Sequence, residues 1–67
     1  MITEIGIAAG EIWMLLEEKG KCKLESLPQR LDIPREVIHM AVGWLTREGH
    51  ILMNKNHKGY NLLLRNL

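Results

Sequence analysis

Residues 34–49 run Pro-Arg-Glu-Val-Ile-His-Met-Ala-Val-Gly-Trp-Leu-Thr-Arg-Glu-Gly, and the fold turns on how this stretch is understood. At roughly 100° per residue, Ile38, Ala41, Val42 and Leu45 share one face, which marks an amphipathic helix with a stripe directed at a core. Pro34 fits the first helical position, where a missing N–H costs no hydrogen bond, and Gly49 fits the residue just past the end. The opposite face carries Glu36, Met40, Gly43 and Arg47, with His39 on one flank and Val37 and Trp44 on the other. It is a mixed face, neither plainly basic nor plainly inert.

Working outward toward the N-terminus, Thr3 fits an N-cap with Glu4 in the favoured acidic first turn. Ile5, Ala8, Ala9, Ile12, Leu15 and Leu16 then recur at helical spacing until Gly20 stops the run. The other side of this first helix holds Gly6 and Gly10 four apart, with Trp13 beside them and Ile7 and Met14 further round. Glycine inside a helix costs up to about 1 kcal/mol relative to alanine, so close approach of another helix is the expected reason for the pair. Lys21 to Leu24 alternates polar and apolar and predicts a short strand with both lysines outward. Glu25 to Leu31 predicts a short second helix beginning near Glu25 or Ser26, because Pro28 is tolerated only in a first turn. Asp32 and Ile33 turn the chain into Pro34, which makes a helix-turn-helix.

Beyond Gly49, the runs Ile51 to Lys55 and Tyr60 to Leu64 flank the polar group Asn56-His57-Lys58-Gly59, the pattern of a β-hairpin. The first short strand can pair with that hairpin. The expected architecture is therefore α+β: three helices and a small antiparallel sheet with a C-terminal hairpin wing, in one domain over residues 1–67. Gly6, Ala9-Gly10, Ile12-Trp13, Leu16, Gly20, Leu24, Leu27, Ala41-Val42-Gly43-Trp44-Leu45, Arg47-Glu48 and Ile51 together form a pattern spread over nearly the whole chain. This pattern resembles that of a family of small bacterial and archaeal winged helix-turn-helix domains with no assigned function. Gly-Trp-Leu-Thr-Arg-Glu-Gly is its most specific part, since ordinary winged-helix regulators share the Leu and the closing Glu-Gly but seldom the Gly-Trp pair. The resemblance implies the fold, and nucleic-acid binding only by analogy. Pro34 is a departure, standing where such domains carry a small capping residue.

Composition narrows the functions. At 67 residues, folding buries only roughly 60% of the surface of the unfolded chain, so the core is small and stability marginal. One cysteine cannot form an intramolecular disulfide, and a free thiol together with an N-terminus unlike a signal peptide places the chain in the cytoplasm. No apolar run approaches the roughly 18 residues of a membrane span. The net charge of +1 gives no overall field toward nucleic acid, so any such contact depends on local clusters.

Two sets of residues are candidates. Arg35, His39 and Arg47 on the third helix, with Lys55, His57 and Lys58 on the hairpin, would contact double-stranded DNA as such folds do, the helix at base edges and the wing along phosphates. The same residues also compose an ordinary solvated face with weak ion pairs and an ordinary soluble turn. Ile7, Gly10, Trp13, Met14, Met40 and Trp44 exceed what one buried face per helix requires, and predict a homodimer or another protein partner. That makes two functional classes: a nucleic-acid-binding regulatory domain with weak, mainly electrostatic contact, or a protein-interaction module with the same fold and no direct DNA binding. His39, His50, His57 and Cys22 lack paired metal-ligand spacing, and no nucleophile has a base nearby. Neither metal, cofactor, small-molecule substrate nor enzyme activity is expected.

Overall fold

The computed structural model describes residues 2–65. The elements follow in the order α1 (Ile2–Lys19), β1 (Lys21–Lys23), a 3-10 turn (Leu24–Ser26), α2 (Leu27–Leu31), α3 (Arg35–Arg47), β2 (Ile51–Asn56) and β3 (Gly59–Leu64). β3 is the central strand of an antiparallel sheet ordered β1-β3-β2, with Cys22 opposite Leu62 on one side and Met53 opposite Leu62 on the other. Most of α1 and α3 pack against each other, and the sheet closes the core below them.

The helical stripes are buried as their spacing requires. Ala8, Ala9, Ile12 and Leu16 from α1 meet Ile38, Ala41, Val42 and Leu45 from α3, with Leu27, Ile51 and Leu62 completing the centre. Ile5 and Leu15 pack at the margin rather than inside. Val37, placed by the helical wheel on an outer flank, is buried instead. α3 packs against α2 as well as α1, so its buried arc is wider than one stripe.

The helix ends account for the other departures. α1 already includes Ile2, so Thr3 lies in its first turn and is not the cap; a first-turn N–H has no intrahelical partner, and extending the helix there breaks no bond. The second helix starts later than expected, because a 3-10 turn takes up Leu24 to Ser26 and α2 proper then places Pro28 in its first turn. Asp32 adopts a left-handed conformation (φ 55°), and the N–H of Ile33 donates back to Pro28 O at 3.1 Å. Pro34 is then the N-cap of α3, not its first helical residue: its ring fixes φ at −55°, its ψ of 143° is extended, and its carbonyl accepts from Ile38 N–H at 3.0 Å.

α3 stops in a Schellman arrangement. Gly49 N–H donates to Thr46 O at 3.1 Å and His50 N–H to Leu45 O at 3.0 Å, which requires φ +79° at Gly49. The hairpin is tighter than its polar group predicted, since Asn56 and Gly59 pair as the last rung and only His57 and Lys58 turn. Asn56 Oδ1 accepts Lys58 N–H at 2.8 Å and holds that turn.

Ile38 is fully buried at the centre of the α1–α3 contact. Ile38→Ala should therefore cost about 2–5 kcal/mol, a large share of the roughly 5–15 kcal/mol a domain has. Urea titration checks this by a lowered midpoint at unchanged slope.

Candidate nucleic-acid interface and apolar groove

α3 presents Arg35, Glu36, His39, Met40, Gly43, Trp44 and Arg47 to solvent, all of them exposed. Among the described residues neither Arg35 nor Arg47 is ion-paired. Lys55, His57 and Lys58 are likewise exposed at the hairpin tip. Lys55 holds its ammonium 5.8 Å over the ring of Tyr60, its cross-strand partner, while His57 and Lys58 occupy the turn itself.

The wing is fixed to the body by a residue that sequence spacing did not single out. Glu25, in the 3-10 turn, accepts Tyr60 N–H at 3.2 Å, and so continues the β1–β3 ladder one step beyond the last pair, Lys23 with Asn61. Its carboxylate also occupies the space beside Gly59: a Cβ there would stand 2.6 Å from Oε1, in addition to the strain of φ +127°. The contact joins positions far apart in the chain, and no local pattern announces it. Lys23 is exposed on the edge strand one rung from this contact, and Lys21 lies two residues further from the wing.

A second feature lies on the other side of α1. An open groove of about 560 Å³ runs over Gly6 and Gly10, walled by Ile7, Met14 and Trp13 of α1 and by Trp44 and His50. Ile7, Met14 and Trp44 are 61%, 59% and 50% exposed, so the apolar lining faces water. Trp13 is half-buried against the core and meets His50 edge to face at 4.9 Å, and Trp44 tilts toward the same imidazole at 6.2 Å. No helix of the chain itself makes the close approach expected at the glycines: nothing comes within 4 Å of a Cβ built on Gly6 or Gly10. The five interface candidates Ile7, Gly10, Trp13, Met14 and Trp44 do line this one groove, whereas Met40 does not. His50 belongs with them although its position in the sequence only marked a loop; the signal was the Gly49 before it, because the residue after a Schellman glycine folds back on the helix it follows.

Among the described residues no group of His, Cys, Asp and Glu could hold a metal ion, and no helix is long and apolar enough to cross a membrane. Cys22 is buried, and burial pushes its thiol above the ordinary range while Arg30 pulls the other way. Such a thiol is a packing group rather than a nucleophile.

Three helices with a tight turn between the second and third, a short strand inserted before the pair, and a hairpin after it define a winged helix-turn-helix domain. The chain belongs to the DUF2582 family of winged helix-turn-helix domains, whose model matches residues 1–65. It is 34% identical over 67 residues to the uncharacterized protein MJ1608 of Methanocaldococcus jannaschii, covering 97% of this chain and 96% of that one. The solution structure of protein BT2368 from Bacteroides thetaiotaomicron superposes with a TM-score of 0.78 over 92% of this chain and 76% of its own, at 24% identity, a likeness of fold.

Replacing Glu25 by Ala removes the acceptor of Tyr60 N–H. The expected result is faster hydrogen exchange at the Tyr60 amide with unchanged protection at Leu62 in the middle of the same strand, measured by NMR.

Proposed function

We propose that this domain binds double-stranded nucleic acid weakly and with little sequence preference, the wing lying along phosphates and α3 facing the groove. The observation that carries the reading is the set of exposed, unpaired cations on the two elements that winged helices present to a duplex: Arg35 and Arg47 on α3, Lys55 and Lys58 on the wing. His39 and His57 add donors on the same two elements. Membership of a winged helix-turn-helix family supports it as well. The base-reading equipment is thin. Met40, Gly43 and Trp44 offer little to a base edge, and Glu36 carries the wrong sign for phosphate, so affinity comes from the backbone and specificity is low. With a net charge of only +1, long-range attraction is weak and binding falls steeply with salt.

An amide-shift titration against generic duplex DNA at about 50 mM salt tests the reading; shifts should centre on the wing, Arg35 and Arg47, and their absence would overturn it. Replacing Lys55 and Lys58 together by Gln should weaken binding about equally for unrelated sequences and flatten the dependence of log affinity on log salt by about two units. Fluorescence anisotropy across a salt series measures both.

A further inference from the structure

We propose that Lys21 and Lys23 on β1 extend the phosphate track of the wing, so that a duplex is held from both faces of the hairpin, an extension that rests on the duplex binding proposed above. The net charge of +1 conceals a strong segregation of charge. The three strands and their turn hold Lys21, Lys23, Lys55 and Lys58 and no Asp or Glu, whereas α1 holds Glu4, Glu11, Glu17 and Glu18 against Lys19 alone. On α3, Glu36 offsets part of the charge of Arg35 and Arg47. The basic pole of the molecule is therefore the sheet, and a polyanion is drawn to it and turned away from α1.

The ladder places these lysines. Cys22 is buried opposite Leu62, so its neighbours Lys21 and Lys23 point away from the core, in line with Leu63 and Asn61 of β3 and with Leu52 and Asn54 of β2. Both are exposed, and among the described residues neither is ion-paired. Asn61 and Asn54 add amide donors to the row that Lys23 begins. Lys55 lies opposite Tyr60, over whose ring its ammonium rests, and strand alternation puts this pair on the other face of the sheet. The hairpin thus carries cations on both faces with Lys58 at its tip, an arrangement that meets the two phosphate backbones flanking a groove. From the turn to the level of Lys21 the path follows β3 from Gly59 to Leu63, about 13 Å at about 3.3 Å per residue. That is the rise of about four nucleotides of one strand at about 3.4 Å each, so Lys23 and Lys21 fit a short run of a single backbone. Glu25, the acidic group at this end of the sheet, accepts Tyr60 N–H and lies against Gly59, so its carboxylate is engaged with β3. Arg65 follows the opposite end of β3 with its guanidinium beside Gly49, outside the track.

Lysines also guard sheet edges against stray pairing, and a pair with only that role would not touch phosphate. Fluorescence anisotropy of the full chain with two unrelated duplexes across a salt series separates the two roles. Replacing Lys21 and Lys23 together by Gln should flatten the dependence of log affinity on log salt by about two units for both sequences alike, because two phosphate contacts are lost. The urea midpoint should stay unchanged, since both side chains are exposed. Adding Lys55→Gln and Lys58→Gln should bring the loss of slope to about four units. In the parent, amide shifts on adding duplex should include Lys21 to Lys23 beside those of the wing. A parent-like slope in the Lys21 and Lys23 variant would overturn the proposal and leave contact through the wing and α3 standing. A parent that binds no duplex would overturn both, and association with phosphatidylserine vesicles in place of duplex would assign the basic face to a membrane surface and overturn them as well.

Discussion

Gly49 holds a left-handed backbone at φ +79°, and several parts of the structure depend on what this does to the next residue. The turn folds His50 back so that its N–H satisfies Leu45 O on α3. Its carbonyl is then free to accept Arg65 N–H at 3.0 Å just after β3, and its ring lies against Trp13 of α1. One residue thereby ties the end of α3, the end of the sheet and the middle of α1 together. An L-residue at 49 would carry a backbone penalty of about 1–2 kcal/mol and would bring a Cβ to 3.2 Å from the Arg65 guanidinium. The helix could still form without this turn, but the hairpin would leave it in another direction.

The fold was legible in the sequence because its elements carry strong local signals. Ile38, Ala41, Val42 and Leu45 repeat at helical spacing between Pro34 and Gly49, and the hairpin strands are separated by a polar group. What was misjudged depends on neighbours rather than on period. Val37 is buried because α2 covers a second side of α3, and a helical wheel drawn for one buried stripe leaves no place for that. Pro34 caps rather than starts α3 because its ring restrains φ and leaves ψ free to follow the turn at Asp32.

The candidate sites were legible in part for the same reason. A helical wheel brought Gly10, Ile7, Trp13 and Met14 to one side of α1, and the structure adds Trp44 from the far end of α3. Met40 falls out of that group because it sits one turn before Trp44, past the end of the groove. Glu25 was invisible: its contact with Tyr60 crosses 35 positions, and a glutamate in a polar turn carries no mark of such a role. The exposed face of α3 is thinly basic and the groove side of α1 amply apolar, and that balance is a property of side chains grafted on the fold rather than of the fold.

The sheet order β1-β3-β2 also governs how the molecule comes into being. Its central strand is the last of the described elements, so β1, formed from Lys21 to Lys23, has no backbone partner until Gly59 to Leu64 has been made. Helices α1, α2 and α3 can form and collide early through contacts near in sequence, but the pairing of Cys22 with Leu62 closes a loop that encloses both α2 and α3. Loop closure of that kind slows folding and makes the final step non-local. During synthesis the helices emerge first and the sheet is completed at the end, so the strand that arrives last converts a loose helical cluster into a cooperative unit.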